Sequence, residues 1–373
     1  MYMMSRISVK KWFLVGAILI ILTAAAGLMT DEQSPITSEF QGGEEDYYRG
    51  RVLDVETLET DRGYRQQAEV VVTDGPYQGE KTEIENEFEE DNRFLDIILE
   101  EDMDIVLVSF VERGERQFHL QDIGRDGVIL RAAILLGAAM IIIGGIKGFK
   151  TIITLFITGY VIVQIMLPLL LQGYSPIPVA TLNAIIIICL ILLVIGGLNS
   201  KTAAAIGGTG VGVGVAGILA YYAGSAAVLT GLGTQEAQML AFGAETIDIR
   251  GLLFAGIIIG SLGAVTDVGM SVASSAYQLK QASPEISSSE LIRHALAVGR
   301  DIMGTMANTL ILAYVGGAVP LLLLLMAQEM SWLRIINMDF LATEIISGIA
   351  GTLGLVIAIP VTAIISGLAM GRR

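Results

Sequence analysis

The sequence predicts an α-helical polytopic membrane protein of about eight transmembrane helices, with one small extracytoplasmic β-rich domain of the OB or SH3-like type. Three observations lead there. Of the 373 residues 53% are hydrophobic, and the mean hydropathy is +0.66, more apolar than ordinary soluble domains. Apolar runs of about eighteen or more residues recur along the chain, each long enough to cross about 30 Å of hydrocarbon. Charge is also split: residues 31–126 hold 28 of the 38 acidic and 9 of the 23 basic residues, a net of −19, which leaves +4 elsewhere. The acidic part is built for water. The remainder is built for lipid, with its cations in the loops.

In chain order, residues 1–30 come first. Arg6, Lys10 and Lys11 precede an 18-residue apolar run ending at Met29. Its length favours a retained transmembrane helix over a cleaved signal, although Ala24–Ala26 has the small residues of a cleavage site. Residues 31–126 contain no spanning run. YYRGRVLDVE, QAEVVVTDGPYQG, EKTEIENEF, DIVLVSFVERG and RQFHLQDI alternate in polarity and carry many Val, Tyr and Phe residues, so four to six strands are expected. The patch EEDNRFLDIILEEDMD lacks the spacing of a calcium loop and reads as a solvated acidic face.

Residues 127–373 hold seven further spans, expected at 128–146, 151–171, 178–198, 202–223, 251–276, 300–327 and 340–370. A cytoplasmic amphipathic connector is expected at 277–299, its helix capped by Ser287 or Ser288 with Glu290 following. TQEAQMLAF is expected as a short interfacial helix in the loop before the sixth span. Lys147, Lys150, Lys201, Lys280, Arg293, Arg372 and Arg373 fall on the same side as the N-terminal basic cluster if there are eight spans. Short basic loops stay cytoplasmic, so both termini are expected inside and the acidic domain outside.

Several chemistries find no support. Cys189, the single cysteine, cannot form an intrachain disulfide, and His119 and His294 cannot build a metal site of the usual Cys/His spacing. No metal, no cofactor and no nucleic-acid partner is expected. Gly212, Gly214 and Gly217 form a G-x-G-x-x-G, but inside a membrane helix with no preceding strand, so close helix packing is the expected role. Glu344 and Arg334 are expected at the outer interface.

One residue asks for a function. Asp267 is the single charge in the 26 residues from Gly251 to Ala276. An ionised carboxylate inside a bilayer costs about 2.5–3.5 kcal/mol even on the most lenient scale. Ser271, and Ser274 or Ser275, share its helical face by spacing. The next helix opens with Arg300 and Asp301, then Thr305 and Asn308, and Asp301, Thr305 and Asn308 also share a face. Antiparallel neighbours joined by a short connector should pack, which would bring Asp267 and this group to overlapping depths. Glycines at 260, 263, 269, 299 and 304 would let the two helices approach. Two readings follow. Asp267 and Arg300 form a structural clamp, or Asp267, Ser271, Arg300, Asp301, Thr305 and Asn308 form an ion or substrate site. Neither TDVG nor GRDI has the context of an intramembrane aspartyl protease.

The chain resembles the YibE/F family in GAVTDVGMSVASSAYQL, in GRDIMGTMANTLILAYVGGAVPLLLL, and in the front-end segments RGRVLDVE and VVVTDGPYQGEKTEIENEF. The resemblance implies a multi-pass protein of the bacterial inner membrane with an extracytoplasmic β-rich domain, and only a general association with permeases. The order of helix, outer domain and helix bundle is also similar to the SecD/SecF export subunits, by analogy. The expected function is therefore an ion-coupled permease, not an enzyme, with the lipid bilayer as its surroundings and a proton or cation as its coupling ion. The alternative is a non-transporting envelope scaffold whose outer domain binds another envelope protein.

Overall fold

The computed structural model describes residues 46–60, 63–89, 96–112, 115–243 and 246–371. The first expected helix lies outside the described residues, as does part of the acidic patch. The chain divides into two compact units, one from Gln41 to Gly145 and one holding Ile146–Arg373.

The first unit contains five strands: β1 (Asp46–Thr60), β2 (Gly63–Val72), β3 (Lys81–Phe88), β4 (Asp104–Glu112) and β5 (Glu115–Ile123). They form one antiparallel sheet in the order β3-β2-β1-β4-β5. The sheet curls so that β3 comes back against β5, a half-closed barrel. The alternation read from the sequence becomes its two faces. Gln66, Ala68, Val70 and Val72 of β2 turn inward with Val52, Ile84, Ile105, Leu107 and Phe118, while Glu69, Glu85 and Glu87 stay on the watery side. Two of these glutamates meet cations across strands, Lys81–Glu69 at 2.9 Å and Arg65–Glu87 at 2.6 Å. Tyr48, Tyr77 and Phe118 pack edge to face at 5.5–5.9 Å.

Gln66 is polar at an inward position, and its hydrogen bonds explain why. Its side-chain amide donates to Leu99 O at 2.9 Å, and its carbonyl accepts from Leu99 N–H at 2.8 Å. Asn86 donates to Ile97 O. These two amides hold the irregular segment before β4 as a neighbouring strand would. After β5, Asp122 accepts hydrogen bonds from Ile123 N–H and from Arg125, which hold its carboxyl below the usual aspartate range. Helix α1 (Asp126–Gly144) follows. It has no buried residue, and beyond Arg131 it carries no charge.

The second unit is a helix bundle: α2 (Ile146–Leu171), α3 (Pro176–Gly196), α4 (Ser200–Ala226), α5 (Gln235–Gly243), α6 (Ile249–Ala282), α7 (Ser288–Ala327), α8 (Trp332–Ile336) and α9 (Asp339–Met370). With α1, seven described helices are long and apolar enough to cross a membrane. The expected short helix at TQEAQMLAF is α5. Helix α2 widens into a π turn at Ile162–Met166, just before Pro168, whose missing N–H cannot close the ordinary bond to Gln164. The expected separate connector at 277–299 is not a separate element. Its first part continues α6, and its second part is the start of a 40-residue α7. Ser287 does cap α7, in a reciprocal capping box with Glu290.

Helices α4, α6 and α9 pack as an inner triad, with α7 against α6 and α9, and α3 against α6 and α4. Small residues set the distances. A Cβ on Gly212 would lie 2.6 Å from Gly354 O, and one on Gly354 would lie 2.6 Å from Gly212 O. In the glycine motif of α4, Gly212 thus packs against α9 and Gly217 against Ile258 of α6, as the sequence leads one to expect, while Gly214 meets nothing within 4 Å.

Candidate functional site

Helices α6 and α7 pack antiparallel. Tyr314 Oη lies where a Cβ on Gly260 would come within 2.8 Å, and Val272 lies against Gly299. Asp267 is seven residues past Gly260 and five before Val272. Its level on α7 therefore falls between Tyr314 and Gly299, beside Thr305 and Asn308. Arg300 sits next to Gly299, about 7 Å further along the axis. The expected overlap in depth is present.

Direct contact is not. Among the described residues Asp267 and Arg300 form no ion pair, and the side chains of Asp267, Ser271, Arg300, Asp301 and Asn308 make no hydrogen bond. Thr305 spends its hydroxyl on Ile302 O at 2.9 Å. The clamp geometry, a carboxylate held against a guanidinium, is therefore not formed. All six residues face outward from the bundle.

The outward face of α6 is unusual for a membrane helix. Between Gly251 and Lys280 the exposed residues are Gly256, Gly260, Gly263, Asp267, Ser271 and Gln278. Steps of three, four and seven residues put them all on one face. Each is a glycine or a polar residue. Between residues 300 and 309 α7 exposes a similar set: Arg300, Asp301, Gly304, Thr305, Asn308 and Thr309. From residue 311 to 320 it exposes Ile311, Leu312, Val315 and Val319, the side chains expected toward lipid, together with Gly316 and Gly317.

The glycines expected to bring α6 and α7 together divide into three groups. Gly260 and Gly299 do so. Gly269 instead faces α4, where Thr209 fills its notch. Gly263 and Gly304 meet nothing within 4 Å, and neither does Gly256. The opposite face of α6 is buried and packed: Ser261 and Thr266 return their hydroxyls to their own helix, at Ile258 O and Leu262 O. Helix α6 thus has one face for packing and one left open, and Asp267 is on the open one.

A family model described as YibE/F-like protein matches residues 132–372, well over half of the chain. The chain belongs to the YibE/F family. The match spans α6 and α7 and therefore the whole candidate site of this YibE/F protein. The likeness to SecD/SecF, in element order and in the spacing of Asp267 and Arg300, gains no support. No curated protein and no solved structure matches the chain.

Two polar residues of this YibE/F bundle escape sequence reasoning. Tyr314 reads as one more aromatic in an apolar run, and Glu344 as an interfacial charge. In the structure both line one cavity. The four-residue step from Gly256 to Gly260, continued by Gly263 and Asp267, was a signal available in the sequence.

Proposed function

We propose that this YibE/F protein is an ion-coupled permease of the bacterial inner membrane, not an enzyme, and that Asp267 is its proton or cation site. In this reading both termini are cytoplasmic, the OB-type β unit is extracytoplasmic, and the unmatched first helix supplies the eighth span. The observation that carries the proposal is the open face of α6. A face of Gly256, Gly260, Gly263, Asp267, Ser271 and Gln278 offers lipid no apolar side chain to contact, and among the described residues no cation neutralises its carboxylate. Such a face suits a water-containing path better than hydrocarbon. Gly256 and Gly263 leave room along it, and Arg300, Asp301 and Asn308 border it near one end. The acidic β unit would attract cations to the outer membrane surface.

The test is current across proteoliposomes under an imposed pH gradient. Wild type should carry a current that Asp267→Asn abolishes. A current indifferent to that substitution would remove Asp267 from the mechanism.

A second reading, an envelope scaffold, draws on the sheet: β3 and β5 each have a hydrogen-bonded neighbour on one side only, and open edges accept partner strands. Deleting residues 40–122 separates the two. A phenotype that follows the deletion and ignores Asp267 and Arg300 would favour the scaffold.

A further inference from the structure

At the end of the bundle where α6 and α9 begin, a cavity of about 290 Å³ lies between α5, α6, α7 and α9. Its volume is roughly that of ten waters at about 30 Å³ each. Leu252, Ile257 and Phe340 supply apolar wall, and Glu344 and Tyr314 supply polar groups. Of the other three hydroxyls there, Thr343 Oγ1 has no hydrogen bond among the described residues and two are engaged. Ser347 donates to Thr343 O at 2.7 Å, and Thr234 accepts from Ala237 N–H at 3.2 Å. Glu344 has no hydrogen bond or ion pair among the described residues, and Tyr314 Oη is buried without a partner. Among the residues lining the cavity Glu344 alone is charged.

The geometry points to a binding site for a small organic ammonium ion with an apolar body. The ammonium would donate to the Glu344 carboxylate and to Tyr314 Oη, satisfying both open groups. The ring of Phe340 would add attraction for the cation, and the aliphatic wall would take the hydrocarbon part. A bare metal cation fits poorly. It needs a close shell of oxygens, and this cavity is too large and too apolar to supply one. An anion is excluded by the carboxylate.

The cavity also joins the open face of α6. Gly256 lines it, and Tyr314 Oη stands against Gly260, the next residue of that face. Asp267 lies eleven residues beyond Gly256, about 16 Å along the helix. The inference therefore deepens the permease reading by naming a substrate class, and it rests on that reading only for the step from binding to transport.

The experiment is calorimetric titration of the purified full chain with 2-phenylethylammonium, and with 2-phenylethanol as its neutral counterpart. The cation should bind and the alcohol should not. Glu344→Gln should weaken binding by roughly tenfold or more, and Tyr314→Phe by a smaller factor. Gly256→Leu, at a position with open space for a side chain, should block the cavity without disturbing the bundle, so it remains informative if Glu344→Gln fails to fold. Equal binding of cation and alcohol, no binding of either, or wild-type affinity in both Glu344→Gln and Gly256→Leu would overturn the inference. Glu344-dependent binding without an Asp267-dependent current would keep this site and sink the permease.

Discussion

Gly212 and Gly354 meet backbone to backbone, whereas Gly304 has nothing within 4 Å of where a Cβ would be. The same residue type therefore acts in two ways. At the α4–α9 seam the missing side chain permits van der Waals contact between helices, the main source of cohesion in a bilayer, where lipid removes the hydrophobic drive to pack. On the open face it leaves space. Alanine should separate the two roles by sign. Gly354→Ala should destabilise by about 1–3 kcal/mol through overpacking. Gly304→Ala should be neutral, or stabilising by up to about 1 kcal/mol through helix propensity. Thermal unfolding of the detergent-solubilised protein reads both, and shifts of the same sign would contradict the assignment. Asp267 belongs to the same scale. Sequence alone shows that a carboxylate is present in an apolar stretch, but the side of the helix that stays uncovered depends on how α4, α7 and α9 dock around α6.

At the scale of elements, α7 makes the sharpest contrast with expectation. The sequence suggests a boundary near Arg300, where polarity changes. A helix ends at a cap or a breaker, however, and none intervenes between the Ser287 capping box and Gln328, since Pro320 is tolerated inside the run. The apolar positions Leu291, Ala295 and Gly299 stay in helical phase across the supposed boundary, and all three are buried. Ser287→Ala should therefore fray only the first turn, at a cost of about 1 kcal/mol. Hydrogen exchange should rise at residues 288–291 and stay unchanged beyond Gly299. Exchange spreading along the whole helix would contradict this. The five strands were legible because alternation is a local signal, and each expected stretch became one strand. What Gln66 does was not legible, because its partner Leu99 is 33 residues away and belongs to no strand. The seven matched spans were legible for the same local reason, since length and hydropathy need no knowledge of neighbours.

At the scale of the molecule, the packed triad of α4, α6 and α9 leaves one side of α6 open, and that side carries the carboxylate, the spare glycines and, at one end, the ammonium-sized cavity. In the proposed permease this face is wetted inside the membrane. The most direct test replaces Cys189 with Ser and places single cysteines at Gly263, Ser271 and Gln278, with controls at Leu312 and Val315 of α7. Intact cells are then treated with a small water-soluble thiol reagent. Labelling is expected at the α6 positions and not at the α7 controls. An α6 face as inert as the α7 controls, or one that cross-links to a second copy of the chain, would mean that lipid or another subunit covers it, and the path would be lost.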